Sequence, residues 1–188
     1  MLATTCSLIA AVLLGSGAAV AAPYSIDDDH SMVVFKASHL GVAYTYGRFN
    51  TVSGTVDWDS GAPDALSLSV AVQTASVDTD QDKRDQHLRG PDFFDAEQFP
   101  EITFVSSSVA DKGDGVYAVT GTLTLHGVSR EVTVDLTQTG EGSDPWGGYR
   151  AGFHTTFSVD RTDYGMTYMA DSIPGLIELT VSLEGIKK

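Results

Sequence analysis

The chain has 188 residues, 42% of them apolar and 19% charged, which is apolar enough for one packed domain and argues against global disorder. Eleven Lys and Arg stand against 25 Asp and Glu, a formal charge of −14, so binding to a phosphate backbone is disfavoured. A single cysteine excludes both a disulfide framework and a cysteine-rich zinc site.

The chain begins with a short apolar run, LIAAVLL over residues 8–14, that leads into GSGAAVAAP. Small residues closing a short apolar core are the pattern of a secretory signal. Ala19-Val20-Ala21 supplies the small-x-small site, which predicts cleavage after Ala21, with Ala22 as the alternative. The leading MLATTCS carries no Lys or Arg, and the next charges after the run are Asp27, Asp28 and Asp29 rather than a basic cluster. A membrane anchor therefore fits worse than an exported chain. The expected organisation is a signal segment over 1–21 and one domain over 22–188, located in the periplasm. Cys6 would leave with the signal.

From residue 33 onward the chain alternates with period two, the mark of strands with one buried face. The inward phases are Val33/Phe35/Ala37/His39, Val52/Gly54/Val56/Trp58, Leu66/Leu68/Val70/Val72, and Ile102/Phe104. They continue with Tyr117 to Leu125, Val132/Val134/Leu136, Tyr149 to Val159, and Ile177/Leu179/Val181/Leu183. Between them, Asp111 to Gly115, His126-Gly127 and Ser143 to Gly148 carry turn chemistry. Short connections imply antiparallel neighbours. The pattern predicts an all-β, eight-stranded antiparallel barrel or sandwich.

The exception is Asp78 to Pro100, between the third and fourth strands. Thr79 with Asp82 echoes a capping box, and Asp85 precedes Arg89 by four residues. Leu88 is the one apolar residue of this short helix, and Phe93, Phe94 and Phe99 follow it. Two readings stay open here: a lid over one end of the barrel, or an ordinary crossover with the rings in the core.

Chemistry-bearing motifs are sparse. The five histidines, His30, His39, His87, His126 and His154, form no HxH, HExxH or HxxxH pair. His126 falls in a turn facing water, and His39 in an inward phase where a hydrogen-bonded core role competes with a ligand role. There is no GxSxG, P-loop or GxGxxG before a helix, so no cofactor and no catalytic residue are assigned. The run Asp27 to Asp29 reads as a solvated charge cluster. With bases scarce, Arg48, Arg84, Arg89, Arg150 and Arg161 are candidates to meet a buried acid or an anionic head group at the barrel mouth. For Arg161 an internal pair with Asp163 competes with that role. Ala37, Gly54, Gly121, Ala151 and Thr155 in the inward phases either leave a cavity or let the strands bend.

Several blocks resemble one family. Tyr24-Ser25-Ile26-Asp27 through His30-Ser31, Phe35, His39, Gly47-Arg48-Phe49 and Gly54 look like the start of the YceI-like family of exported lipid-binding proteins. Asp85 to Asp95 with Phe99-Pro100 and Phe104 is similar to its most specific signature, and Gly121 to Val128, Gly152-Phe153 and Arg161 to Gly165 complete it. The resemblance covers about residues 24–185, with Gly90-Pro91 a departure. It implies a lipocalin-like barrel with a hydrophobic tunnel for a polyisoprenoid, an isoprenoid quinone or another long amphiphile, often in a dimer. By matching position it makes Phe35, Phe49, Leu88, Phe93, Phe94, Phe153 and Phe157 candidate tunnel residues. It makes His39, Arg48, His87 and Arg161 candidates for the polar end. Two other readings stand beside this one: a metal-assisted hydrolase or lipid-modifying enzyme using His39 and His87, and an interaction module whose barrel is packed solid.

Overall fold

The computed structural model describes residues 21–188; the expected signal segment, apart from Ala21, lies outside the described residues. The strands are β1 (Ala22–Ile26), β2 (Met32–His39), β3 (Ala43–Phe49), β4 (Val52–Trp58), β5 (Ser67–Gln73) and β6 (Val77–Asp78). After helix α1 (Asp82–Arg89) come β7 (Glu101–Gly113), β8 (Val116–Leu125), β9 (Val128–Ser143), β10 (Tyr149–Asp160) and β11 (Leu176–Lys187).

Eleven segments make eight wall positions. A turn of 3-10 helix at Asp28–His30 separates β1 from β2, yet both pair with β11, at Ile26↔Gly185 and Met32↔Ser182. The next position is β3 followed by β4, since β3 pairs with β2 and β4 with β1. Likewise β5 pairs with β4, and the short β6 pairs with β3. From there β7, β8, β9, β10 and β11 follow in order, every pairing antiparallel. The β1–β11 pairing closes the ring, which is the eight-stranded barrel the periodicity predicts, with α1 between its third and fourth positions.

The interior is solid at one end. Trp58 packs edge-on against Tyr117 and Phe153, with ring centroids 5.6 and 5.4 Å away, beside buried Tyr24, Val56, Leu66 and Ala151. The Trp58 Nε1–H donates to Glu141 at 2.6 Å, so the indole is not left unsatisfied. Of the small inward residues that either leave a cavity or let the strands bend, two glycines leave no cavity but admit backbone. A Cβ at Gly54, whose φ is +142°, would strike the Ser69 carbonyl of β5, and one at Gly121 would strike Val105 of β7.

On the other side the wall loosens. β9 and β10 pair only from Tyr149↔Ser143 to His154↔Thr137. Beyond that β9 runs along β8 alone and β10 along β11 alone. Buried Val159, Tyr164 and Met166, packed with Val128 and Val132, fill this seam. Arg130 crosses it, donating from Nε to the Asp163 carbonyl at 2.7 Å.

Candidate ligand tunnel

The half of the barrel away from Trp58 is hollow. A cavity of about 430 Å³ opens at the end formed by the β2–β3 hairpin, α1 and the loop after Tyr164. A second lobe of about 100 Å³ lies deeper. Both lobes share Val33, Val72, Ile102, Leu123 and Leu179 in their walls, so they adjoin across these side chains. The larger lobe alone is within the usual size range of ligand pockets. No Asp or Glu lines either lobe, although acids outnumber bases more than twofold in the chain.

Five of the seven expected tunnel residues, Phe35, Phe49, Leu88, Phe93 and Phe94, line the large lobe, and Phe157 lines the deep one. Phe153 does not; it is 1% exposed in the solid end against Trp58. Its phase is inward as expected, but it lies too far toward the filled end of β10. Among the expected polar residues, His39, His87 and Arg161 line the mouth. Arg48 points outward on β3 and pairs with Asp78 at 3.3 Å. Its neighbours Gly47 and Phe49 take the inward phase, so Arg48 falls on the opposite face.

The Phe-rich segment packs over this end of the barrel. Phe94 sits edge-on to Phe49 at 5.4 Å, and Phe49 contacts Phe35 at 5.9 Å. Phe93, His87 and Tyr168 form a three-ring cluster with centroid separations of 5.0 to 5.4 Å. Phe99 does not join them but packs on His126 at 4.6 Å. His126 is thus half-buried rather than water-facing, with Nδ1 3.2 Å from the Tyr164 carbonyl.

α1 buries almost nothing apolar of its own, so polar clamps hold it. Its N-terminus is capped by the Gln81 side chain, which accepts from Arg84 N–H at 2.6 Å, not by the expected Thr79–Asp82 box. Asp85 is buried and accepts from both the Thr79 N–H and its hydroxyl. Arg89 does not meet Asp85; it donates to the Ala75 and Val77 carbonyls at 2.7 and 2.8 Å. Arg84, at the cavity wall, donates from Nε to the Thr79 hydroxyl and from Nη2 to its carbonyl, both at 2.7 Å.

Arg161 organises the other side of the mouth. Only 4% exposed, it donates to the carbonyls of Met166, Tyr168 and Ile173 at 2.6, 2.9 and 2.8 Å. The expected pair with Asp163 does not form; Asp163 lies near Arg130, at 3.8 Å. Burial pulls the Arg161 guanidinium below its ordinary pKa, opposed by the nearby charge of Asp160. Its Nε has no hydrogen-bond partner, and the guanidinium lies 5.9 Å from the Phe93 ring. Met166, Met169 and Ile173 of the loop it pins are wall residues that periodicity alone does not mark, because they belong to no strand. The available signal is that the loop is too apolar to be a simple solvent-facing turn.

Arg150 instead serves the opposite end. It bonds Asp27 at 2.6 Å and Asp144 at 2.9 Å, and also meets Glu184. Asp28 accepts from the Val52 N–H at 2.6 Å. Asp27 and Asp28 are therefore structural acceptors, not a solvated run. Among the described residues Asp27, His30 and Glu184 form a cluster of close metal-ligand types, but two of the three already hold Arg150.

The chain matches the YceI-like domain family over residues 24–185. It is 44% identical to the UPF0312 protein of Shewanella sp. strain MR-7 over 97% of this chain and 96% of that one. It is 42% identical to the UPF0312 protein of Shewanella baltica strain OS185, with the same coverage. Among solved structures, Burkholderia cenocepacia BcnA superposes with a TM-score of 0.77 at 25% identity, covering 85% of this chain and 98% of that one. The Campylobacter jejuni YCEI protein gives 0.72 at 28% identity, covering 80% and 90%. A Saccharophagus degradans domain described as polyisoprenoid-binding gives 0.70 at 17% identity, covering 89% and 99%, a likeness of fold.

Proposed function

We propose that this chain, which belongs to the YceI-like domain family, binds one long-chain amphiphile of the polyisoprenoid or isoprenoid-quinone class and acts as an exported, periplasmic carrier or sequestering protein. The observation that carries this reading is the two-lobed apolar cavity with all its charged wall groups at one end. Each methylene moved from water into such a wall gains about 0.8 kcal/mol, so a long chain binds tightly without catalytic machinery. Arg84, Arg161, His39 and His87 offer donors at the mouth, and no wall carboxylate competes for them. A head group bearing acceptor oxygens, a quinone carbonyl or a phosphate, suits that end. The polyisoprenoid-binding description of the S. degradans domain agrees in kind.

The reading is that of a binding protein and not an enzyme. The hydrolase alternative needs a third ligand or base beside His39 and His87. The carboxylate that meets His87, Asp92 at 2.9 Å, is half-exposed outside the cavity wall.

Native mass spectrometry of protein from its host, followed by lipid extraction, is expected to release one isoprenoid chain per protein. Titration with long- and short-chain prenyl quinones is expected to show tighter binding of the longer chain. Leu123→Trp, which adds bulk at the wall shared by the two lobes, is expected to abolish that length preference while the short quinone still binds. Apo protein that takes up neither probe would overturn the reading.

A further inference from the structure

The outer surface of the mouth is unlike the rest of the molecule. Leu40, Val42, Tyr44, Tyr46, Tyr168 and Met169 are 39 to 86% exposed, and Leu176 beside them is 62% exposed. These are seven of the ten large apolar side chains exposed among the described residues; Met32, Val105 and Trp146 are the others. The two segments that carry the rim are tied together, because Leu40 N–H donates to the Ser172 carbonyl at 3.2 Å. Charge divides the mouth: α1 and its flanks carry exposed Asp80, Asp82, Asp92 and Glu97, whereas the hairpin and the loop after Tyr164 are acid-poor. Between Asp29 and Asp57 the chain has no Asp or Glu, only Lys36, Arg48 and two histidines. From Tyr164 to Ile177 it has Asp171 alone. Lys36 pairs with Glu178 of β11 at 2.6 Å and lies 5.0 Å from the Tyr44 ring, so its charge is balanced on this face while the ring stays exposed.

We infer that this rim is a bilayer-docking surface: the chain seats its tunnel mouth on a lipid leaflet, so that an amphiphile passes between leaflet and tunnel without crossing water. The inference rests on the carrier reading. The apolar wall is continuous with the rim through Met169 and Ile173, so the greasy path reaches the outer surface. Release of a long apolar chain into water would expose its whole length to solvent, which opposes free diffusion between sites. A second copy on the same rim would seal the mouth, whereas a leaflet receives the chain. Anionic lipid repels the acidic surface elsewhere, α1 included, so the acid-poor hairpin and the loop after Tyr164 are the part of the mouth that meets the leaflet. The seam between β9 and β10 is a poorer exit because Arg130 staples it to Asp163.

The test uses unilamellar phosphatidylcholine vesicles and an environment-sensitive dye on a single introduced cysteine, in protein lacking the first 21 residues. Dye on Val42→Cys is expected to shift to the blue on adding vesicles, and dye on Trp146→Cys, at the opposite end, is expected not to shift. The Leu40→Asp/Val42→Asp pair is expected to slow transfer of a fluorescent farnesyl probe out of vesicles at least tenfold. Its equilibrium affinity for the same probe in solution should stay within twofold. No shift at Val42, or equal shifts at both positions, would overturn the inference and leave the tunnel reading intact. So would a dimer by sedimentation that the Asp pair dissolves, with no vesicle response, because the rim then serves a second copy. A shift at Val42 with no farnesyl uptake by any variant would retain docking as a fact of the rim but overturn its assigned purpose together with the carrier reading.

Discussion

At Arg161 a full charge is buried to satisfy three carbonyls of one loop, with no carboxylate in hydrogen-bond contact. Removing the guanidinium would orphan those acceptors, at about 1–3 kcal/mol for each one that stays buried. Arg161→Met is therefore expected to lower stability by about 3 kcal/mol in urea titration and to speed proteolysis within residues 165–175. Arg161→Lys, with fewer donors in a different geometry, should recover only part of the loss. Phe153 and Phe94 belong to opposite halves of the interior, the solid end and the hollow one. Phe153→Ala leaves a hole in the solid end and should cost about 3–5 kcal/mol by denaturation, with ligand affinity unchanged in the molecules that remain folded. Phe94→Ala merely enlarges an existing cavity, so it should cost less stability and instead weaken binding. Alternation along each strand tells which side chains face in, and it is right for Phe35, Phe153 and Phe157 alike. It says nothing of depth along the barrel axis. That is why Phe153 reads like a tunnel residue and Arg150 like a mouth residue, when both serve the opposite end.

Among the elements, α1 is the one that local propensity explains least. Its apolar content is a single Leu88, and it is held in place by Asp85, Arg84 and Arg89 reaching backbone and hydroxyl groups of the residues before it. Asp85→Asn keeps the shape but weakens both bonds from Thr79, because a neutral oxygen is a poorer acceptor than an ionised one. A loss of about 1–2 kcal/mol is expected. Hydrogen exchange over residues 82–89 should rise more than exchange in the β8–β9 ladder. The same contrast explains what periodicity finds and misses. Eight long alternating runs fix the barrel, since a one-residue slip would turn each apolar face to water. β3 escapes because its pattern is inverted: Tyr44, Tyr46 and Arg48 point out, while Thr45 and Gly47 face in. That inversion is intelligible if the outer face meets something other than water, and Gly47 is required inside because a Cβ there would collide with the Phe35 ring. β1 and β6 are five and two residues long, too short for any period to register. The loop at Met166 to Ile173 closes the site through backbone carbonyls held by Arg161, and because carbonyls carry no side-chain identity, no residue pattern marks those bonds.

For the molecule as a whole, a cluster of charges spans the closing seam at the solid end. Arg150 on β10 joins Asp27 after β1, Glu184 on β11 and Asp144 in the turn between β9 and β10, so one guanidinium ties together strands at the closing seam. The Arg150 hydrogen bond is the main cause that holds Asp27 below its ordinary value of 3.8, with His30 adding to it; Asp144 is lowered chiefly by the same arginine. A carboxylate with a depressed folded-state pKa stabilises fully above its unfolded value. That stabilisation is lost as pH falls through the folded value. His30 runs the other way. Its pKa is raised above 6.5, chiefly by its bond to Asp27, so its contribution is complete below 6.5 and lost as pH rises through the raised value. Urea midpoints measured across the acid range should therefore fall steeply below pH 4 in the native chain. In Arg150→Met the neutral-pH midpoint should be lower and the acid slope shallower, because Asp27 and Asp144 return toward ordinary carboxylates. His30→Gln should leave most of the acid slope in place and flatten only the region around and above pH 6.5. If the acid slope survives in Arg150→Met unchanged, the proton uptake belongs to Asp78 or Asp160, whose pKa values are also lowered but by groups away from the closing seam. In that case the barrel is shut by the β1–β11 ladder and apolar packing around Trp58 rather than by this ion cluster.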